Sequence, residues 1–380
     1  MSGGVDSSVA AALLKRAGFD VVGIMLKFWK DGQSSANRCC SIESEKLARL
    51  VAKKIGIPFY VINAEKEFKK EVVEYFLREY KNGNTPNPCV VCNKEIKFGF
   101  LIKKALALGA DFVATGHYAK TSSNYESVRM SEFVNSERIR YSLMRAKSAE
   151  KDQSYFLWQL NQEQLKHVLF PVGGYTKPEV RKLAKKFKLP TAETPESQEV
   201  CFVVDSTNNF LKKYLKTKSG PVIEQAQNGV KKIIGQHKGL WFYTIGQRKG
   251  LGLSQGSAFA DRFGETKPWF VVGKDFKKNI LIVSKNQKDL FKKELIASDV
   301  NWISGKEPKL PIKVKARIRY GAKEADAIVY KLKTNNYKLV FAKPQRAITP
   351  GQSVVFYLPV RSSGAKEGAG KELLGGGVIE

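Results

Sequence analysis

The segment Ser2 to Ser8 combines glycines, hydroxyl side chains and one carboxylate in the order S-G-G-V-D-S-S. Two adjacent glycines let the backbone approach an anion with its N–H groups pointing outward. The apolar run 9–14 predicts a helix, and the dipole at the N-terminus of that helix attracts the same anion. We therefore predict a phosphate-binding loop, in which Asp6 and the serines hold Mg²⁺ or the phosphate oxygens. The alternative is a turn that only caps the helix.

Thiols are the second group of residues that could do chemistry. Cys89 and Cys92 are three residues apart, at the predicted start of a helix that includes Lys94. A helix N-terminus and a nearby cation both lower the pKa of a thiol and make it a better nucleophile. The C-x-x-C spacing also occurs in redox, zinc and cluster sites, so these alternatives stay open. Cys201 is either a further reactive thiol or a small buried apolar residue. The adjacent Cys39 and Cys40 are predicted to have no chemical role.

Composition limits the kinds of protein that this chain can be. A length of 380 residues indicates about two or three domains. The net charge of +29, from 65 basic and 36 acidic residues, favours a polyanionic partner such as nucleic acid over a generally lysine-rich composition. Five cysteines and no secretory signal indicate the cytoplasm, and no apolar run is long enough to span a membrane. The count of three histidines argues against a His-based hydrolase or zinc site.

Secondary-structure patterns predict an α/β architecture for the first part of the chain and an all-β architecture for the last part. Up to about residue 115, apolar strands at 21–26, 59–62 and 112–115 alternate with helices. These helices are predicted at 41–55, 68–80 and 94–108. Such alternation predicts a parallel sheet covered on both faces, with ligands at the carboxyl ends of its strands.

The remainder of the chain changes from helices to strands. Further helices are predicted at 153–167 and 178–187. Beyond about residue 220, short apolar segments separated by glycine predict a small β module followed by a barrel. The predicted strands in this part include 241–244, 269–272, 280–283, 312–319 and 354–357. A phosphate loop is normally aimed by a strand that precedes it, so we also expect a further strand encoded upstream of Met1.

Long motifs occur in a fixed order along the whole chain. They are SGGVDSS (2–8), TPNPCVVCNKEIKFG (85–99), ATGHY (114–118), KDQSYFLW (151–158), LFPVG (169–173), TIGQRKGLG (244–252) and TPGQSVVFY (349–357). Through these motifs the chain resembles the tRNA-specific 2-thiouridylases. The first motif is similar to the pyrophosphate loop of the N-type ATP pyrophosphatases, which cleave ATP between the α and β phosphates.

The resemblance implies a three-domain fold. Residues 1–205 would form an α/β domain with the parallel sheet of the N-type ATP pyrophosphatases, similar to adenine-nucleotide α-hydrolases. A small central β domain would follow at 206–273, and a β-barrel at 274–380. The first strand of the α/β domain would be missing from the sequence as it begins at Met1.

The resemblance also implies an activity and its partners. Family members use ATP and Mg²⁺ to adenylate the C2 oxygen of the wobble uridine in tRNAs for lysine, glutamate and glutamine. Sulfur from a cysteine persulfide then replaces that oxygen and AMP is released. A cysteine desulfurase or a sulfur-relay protein would supply the sulfur, and no membrane would be involved.

Individual site residues follow from the matching positions. Cys201 would carry the persulfide, and Cys92 would attack it and leave a transient disulfide. The ATP-binding residues would be Ser2, Gly3, Gly4, Val5, Asp6, Ser7, Leu26 and Gly116. The tRNA-binding residues would be Asn87, Pro88, Cys89, His117, Lys151, Asp152, Gln153, Arg319, Tyr320 and Gln352. No residue is assigned to a resident metal.

Cys89 departs from the family pattern, since many members have an aspartate there that is proposed to act as a general acid or base. A thiol can shuttle a proton only if its pKa is lowered towards ambient pH. Alternatively, Cys89, Cys92 and Cys201 could hold an iron–sulfur cluster with a vacant coordination position. We favour the persulfide route. The competing functions are an ammonia-using adenylating ligase and a non-catalytic tRNA-binding protein.

Overall fold

The structure, a computed structural model, describes residues 1–32, 41–123, 140–195, 200–225, 231–253, 268–359 and 372–380. Cys39 and Cys40 lie outside these residues. Within the described ranges, no helix is both long enough and apolar enough to cross a membrane.

The described chain contains nine α-helices, of which the first eight lie in the first domain and the last lies just after it. They are α1 (Val5–Arg16), α2 (Ile42–Ile55), α3 (Glu65–Phe68), α4 (Glu74–Lys81), α5 (Pro88–Val91), α6 (Leu101–Ala107), α7 (Gln162–Lys166), α8 (Lys177–Lys186) and α9 (Thr207–Tyr214). π-Helical stretches at Lys69–Val73 and Cys92–Phe100 make α3 continuous with α4 and α5 continuous with α6. Short 3₁₀ turns lie at Ser154–Phe156, Leu240–Phe242 and Gln287–Leu290.

Local capping explains where two of these helices begin. The Ser41 hydroxyl accepts a hydrogen bond from the N–H of Ser44 at 3.1 Å, so α2 begins where its N-cap residue was predicted. In α8, Thr176 and Glu179 form a reciprocal capping box. Capping depends on neighbouring residues alone, which is why the sequence predicts these boundaries well.

The strands of the first domain form parallel pairs and a hairpin. They are β1 (Gly23–Lys27), β2 (Phe59–Asn63), β3 (Val113–Ala114), β4 (Ala119–Ser123), β5 (Tyr141–Arg145) and β6 (Val168–Leu169). β1 pairs with β2 in parallel and β3 with β6 in parallel, which confirms the predicted strand direction. The N-terminal amine of Met1 donates to the Ile24 carbonyl, so the phosphate loop starts beside β1.

The second domain is a four-stranded sheet with the order β8-β7-β10-β9. Its strands are β7 (Gly220–Gln225), β8 (Lys231–His237), β9 (Phe270–Asp275) and β10 (Ile280–Ser284). β10 pairs with β7, so the sheet continues to residue 284. The domain boundary expected between residues 273 and 274 falls inside β9, because a run of apolar strands does not show which sheet each strand joins.

The third domain is a closed six-stranded barrel. Its strands are β11 (Phe291–Trp302), β12 (Ile312–Arg317), β13 (Ala325–Lys331), β14 (Tyr337–Arg346), β15 (Ser353–Tyr357) and β16 (Glu372–Ile379). The order is β11-β14-β13-β12-β15-β16, and pairing of β11 with β16 closes the barrel. β5 of the first domain also pairs with β16, at Leu143 and Leu373. The predicted α/β, small β and barrel architecture is confirmed.

Two apolar clusters join the domains. One packs Phe68 and Phe76 of the first domain with Val222 and Leu281 of the second. The other packs Tyr155 and Trp158 with Val355, Tyr357 and Leu373 of the barrel. Since burying a large side chain stabilises a fold by about 1.5–3 kcal/mol, these clusters fix the domains against one another.

Two predicted elements are wrong. Residues 153–167 do not form one helix, because Tyr155, Leu157, Trp158 and Leu160 are all buried between the first domain and the barrel. A regular helix would bury only one face. The predicted strand at 241–244 is instead largely the 3₁₀ turn Leu240–Phe242, in which Leu240 and Phe242 are buried and Trp241 is partly buried.

Candidate active site

The glycine-rich segment forms a tight loop at the N-terminus of α1. Gly3 has a φ of +73°, and a Cβ atom there would lie 2.4 Å from the Ser44 carbonyl oxygen. Only glycine fits this position. The Ser7 and Ser8 hydroxyls donate to the Gly4 carbonyl at 3.1 and 2.8 Å. The loop is thus held in shape while α1 begins at Val5, as a phosphate site requires.

Gly116 packs directly against this loop from the end of β3. A Cβ atom at Gly116 would lie 2.6 Å from the Ser7 backbone nitrogen and 2.7 Å from the Asp6 carbonyl carbon. The structure therefore brings Gly116 to the loop, as expected of residues that border a nucleotide. Leu26, in β1, is partly buried against the apolar cluster that contains Cys92.

Asp6 is the charged centre of the loop. Its carboxylate accepts hydrogen bonds from the Tyr118 hydroxyl at 2.7 Å and from Lys177 Nζ at 2.7 and 2.8 Å. Lys177 is buried, with 8% of its surface exposed. A buried ammonium beside a phosphate loop neutralises the carboxylate and can attract an incoming anion.

Sequence reasoning missed Lys177 and assigned no role to Tyr118. Lys177 is separated from Asp6 by 171 residues, and it lies in the first turn of α8. Nothing in the local sequence distinguishes it from the many other lysines of the chain. Tyr118 belongs to the ATGHY motif, and its place in that motif could have identified it as a candidate site residue.

The three cysteines that the structure describes are thiols in different environments. Cys89 is exposed, Cys92 is buried and Cys201 is partly buried. Cys92 belongs to the apolar cluster that joins the first two domains, and Cys201 packs against the same cluster. Cys92 and Cys201 therefore both pack in this cluster, whereas Cys89 is exposed.

This arrangement does not fit a three-thiolate cluster. In the described part of the chain, no group of three His, Cys, Asp or Glu side chains is placed to hold a metal ion. We therefore derive no chemical step through an iron–sulfur centre.

His117 lies in an apolar setting close to the phosphate loop. Its Nδ1 atom is 2.8 Å from the Thr115 hydroxyl, and its ring packs against Phe98 and Phe170 with centroid distances of 5.7 and 6.2 Å. Burial, with a smaller effect of Lys97, lowers the pKa of His117 well below its usual value. The ring is therefore neutral at pH 7, which suits stacking or hydrogen bonding to a base better than binding a phosphate.

The segment Lys151 to Gln153 faces the interior more than the resemblance implied. Asp152 is buried and pairs with Arg145 at 2.8 Å and Arg317 at 3.4 Å. Gln153 Oε1 accepts a hydrogen bond from the Tyr118 N–H at 2.9 Å. Both side chains thus support neighbouring protein residues, while Lys151 is partly exposed beside them.

The predicted tRNA-binding residues of the barrel take two different positions. Arg319 and Tyr320 are exposed after β12, and the Tyr320 ring lies 4.5 Å from the Phe156 ring. Gln352 instead donates through Nε2 to the carbonyls of Thr85 at 2.8 Å and Pro86 at 3.4 Å. It therefore contacts the segment immediately before Asn87 and Pro88.

Comparisons with known proteins agree with this geometry. Family profiles match in succession, described as "tRNA methyl transferase HUP domain" over residues 1–205, "tRNA methyl transferase PRC-barrel domain" over 208–285 and "Aminomethyltransferase beta-barrel domain" over 292–379. Among solved structures, NMN synthetase from Francisella tularensis is 15% identical with a TM-score of 0.30, over 52% of this chain and 63% of that chain. That likeness is too weak to support an argument.

Curated relatives match along the full chain. The tRNA-specific 2-thiouridylase MnmA of Clostridioides difficile is 44% identical over 385 residues, which cover 100% of this chain and 96% of that protein. The corresponding protein of Halothermothrix orenii is 46% identical over 386 residues, covering 100% and 97%.

These similarities do not favour an ammonia-using ligase or a non-catalytic binding protein. They confirm the predicted assignment to a tRNA sulfurtransferase family with a nucleotide-binding HUP domain. The chain belongs to the tRNA-specific 2-thiouridylase family.

Proposed function

We propose that this chain replaces the C2 oxygen of the wobble uridine by sulfur in tRNAs for lysine, glutamate and glutamine. In the first step, ATP transfers its adenylyl group to the C2 oxygen and releases pyrophosphate. The observation that carries the proposal is the joint presence of a phosphate loop and of two thiols, Cys92 and Cys201, packed at one apolar cluster in a member of this family.

Sulfur transfer follows activation. The Cys92 thiolate attacks Cys201 Sγ of a Cys201 persulfide, so the S–S bond of the persulfide breaks and hydrosulfide leaves. Hydrosulfide attacks C2 of the activated uridine, and AMP leaves with the former oxygen. An external thiol then reduces the Cys92–Cys201 disulfide. The packing of both cysteines on one cluster supports this pairing.

The phosphate loop would bind ATP through its backbone N–H groups and the hydroxyls of Ser2 and Ser7. The Ser2 backbone N–H already donates to Ser7 Oγ at 3.2 Å, so both hydroxyl residues face one another across the loop. Asp6 is the carboxylate that fits Mg²⁺, which would neutralise charge on the phosphates when bound. Lys177 would then be released from Asp6 to contact a phosphate oxygen.

The target base would lie near His117 and the start of α5. The exposed Cys89 thiol stands there as the proton-transfer group, in place of the carboxylate common in the family. The sulfur would come from a cysteine desulfurase or a relay protein, as the family resemblance implies. The odd number of cysteines supports action in a reducing cytoplasm.

A reconstituted reaction tests the proposal. The purified chain is incubated with a tRNA transcript for lysine, glutamate or glutamine, ATP, Mg²⁺ and a cysteine desulfurase with cysteine. We expect 2-thiouridine at the wobble position by nucleoside mass spectrometry, with one AMP formed for each base modified. AMP formation without 2-thiouridine when ammonium replaces the sulfur source would instead indicate a ligase.

The affinity for tRNA is expected to fall steeply with salt. The net charge of +29 predicts release of many counterions on binding. Arg319→Ala should reduce the slope of log affinity against log salt by about 1, because one phosphate contact is lost. Filter binding or fluorescence anisotropy over a salt series measures both slopes.

The neighbouring Tyr320→Ala variant is the matched control for this experiment. It removes an exposed aromatic ring and no charge, so it should weaken binding while leaving the slope unchanged. A slope near zero for the unmodified chain would contradict an electrostatic tRNA-binding surface.

A further inference from the structure

The segment 83–86 lies immediately before the helix that carries Cys89 and Cys92, and the two later domains bind it from two sides. From the second domain, Lys274 Nζ donates to the carbonyl of Gly83 at 2.6 Å and to that of Tyr243 at 3.0 Å. The Thr85 and Thr244 hydroxyl oxygens are 3.2 Å apart. These contacts hold both ends of the short segment against the second domain.

The barrel binds the same segment. The Thr85 N–H donates to the Pro350 carbonyl at 2.8 Å, and Gln352 Nε2 donates to the Thr85 carbonyl at 2.8 Å. A Cβ atom at Gly351, whose φ is +86°, would lie 2.7 Å from Asn84 Cβ. The barrel backbone therefore approaches the segment as closely as glycine allows.

The second domain makes an equally close approach at the start of the segment. Gly83 has a φ of +89°, and a Cβ atom there would lie 2.0 Å from the Phe276 ring. The Lys274 ammonium lies 5.6 Å from the centroid of the same ring. Gly83 is thus enclosed by the lysine and its neighbouring aromatic side chain.

The segment is stiff enough to transmit its position to the thiols. Pro86 and Pro88 restrict their own φ angles and the conformations of Thr85 and Asn87. Helix α5 begins at Pro88, so Cys89 follows the clamped residues after a short, restricted connection. A shift of the clamp would therefore move Cys89 and the start of the helix that carries Cys92.

We propose that Lys274 is a positioning residue for sulfur transfer: by binding the Gly83 carbonyl it sets the position of Cys89 and Cys92 relative to the rest of the active site. The proposal gives the small β domain an indirect part in the reaction, through the position of these two thiols. The proposal rests on the proposed roles of the thiols only where tRNA thiolation is measured, because the alkylation rate of Cys89 does not depend on them.

The chemistry of Lys274 supports this role. Burial lowers the pKa of Lys274 to about 8, so placing an ammonium here has a cost that the two carbonyl contacts offset. An apolar residue would fill this space without that cost. A lysine at this position is therefore better explained by its hydrogen bonds to two backbone carbonyls than by packing.

The test compares Lys274→Met with Lys274→Arg and with Lys277→Met, a change of an exposed lysine in the turn that follows β9. Three quantities are measured for each full-length variant: ATP affinity, the single-turnover rate of tRNA thiolation, and the rate of Cys89 alkylation by iodoacetamide followed by peptide mass spectrometry. Thermal unfolding is recorded in parallel.

Lys274→Met should lower the thiolation rate about tenfold and change the Cys89 alkylation rate several-fold, with ATP affinity unchanged. Lys274→Arg should keep most of the thiolation rate and a nearly normal Cys89 alkylation rate. Lys277→Met should have the same two rates as the unmodified chain. Unchanged alkylation and thiolation in Lys274→Met would overturn the proposal, as would a parallel loss of ATP affinity and thermal stability. If the unmodified chain fails to thiolate tRNA, the proposed function fails, whereas the alkylation rates still decide the positioning role.

Discussion

Cys92→Ser and Cys201→Ser are each expected to abolish tRNA thiolation while ATP-dependent adenylation of the tRNA survives. Activation uses the phosphate loop, and sulfur transfer uses the thiols, so the two half-reactions depend on different groups. Serine is close in size to cysteine, and the packing of the apolar cluster that includes Cys92 should be kept. Adenylation is measured by exchange of labelled pyrophosphate into ATP in the presence of tRNA, and thiolation by 2-thiouridine formation.

Cys39→Ser serves as the matched control and should thiolate at the rate of the unmodified chain. The unmodified chain treated with a persulfide donor should yield a Cys92–Cys201 disulfide in non-reducing peptide mass spectrometry. Loss of pyrophosphate exchange together with thiolation in both cysteine variants would show that the thiols act before sulfur transfer.

Cys89→Asp separates the persulfide route from the iron–sulfur alternative. On the persulfide route this variant should keep much of the activity, because it restores the acid or base common in the family. On the cluster route it should lose iron, since carboxylate is a poorer ligand for such centres. Stoichiometric iron and sulfide after anaerobic purification, lost in each cysteine variant, would refute the persulfide mechanism.

Lys177→Met is expected to lower ATP-dependent adenylation by about 100-fold or more. The variant removes the ammonium that neutralises Asp6 beside the phosphate loop, where a buried contact is worth more than one in water. Pyrophosphate exchange and equilibrium ATP binding measure the effect. Lys185→Met is the matched control, because Lys185 also lies in α8 but forms an exposed pair with Glu193 at 2.9 Å.

Removing Lys177 alone leaves the Asp6 carboxylate without its cation, which could unfold the domain and imitate a loss of activity. The double variant Asp6→Asn with Lys177→Met removes both charges and should recover thermal stability without recovering ATP use. Adenylation at the unmodified rate by either variant that remains folded would refute the assigned role of Lys177.

Much of the site was predictable from the sequence because its signals are local. The glycine pair, the helix that follows it and the Ser41 cap each depend on residues within a few positions of one another. The seven motifs that occur in order from residue 2 to residue 357 identified the family that full-length comparisons confirm. The roles of the thiols themselves remain predictions.

Other features depend on contacts between distant residues, which no local pattern records. The resemblance implies a tRNA-binding role for Asp152, and the structure shows its carboxylate buried between Arg145 and Arg317 from two different domains. The segment 153–167 does not form one helix, because its side chains are buried both within the first domain and against the barrel. In both cases the partner surface, supplied by a later part of the chain, decides the conformation and the exposure.

The sequence by itself determined the kind of chemistry, since glycines and hydroxyls at these spacings suit phosphate binding and the ordered motifs imply sulfur transfer through the family resemblance. Only the tertiary structure decided how that chemistry is supported. It brings Lys177 to Asp6 across 171 residues and places Lys274 and Gln352 on the segment before Cys89. Hydrogen bonds and ion pairs act over a few ångströms, so residues far apart in the chain become partners only when packing of the three domains brings them together.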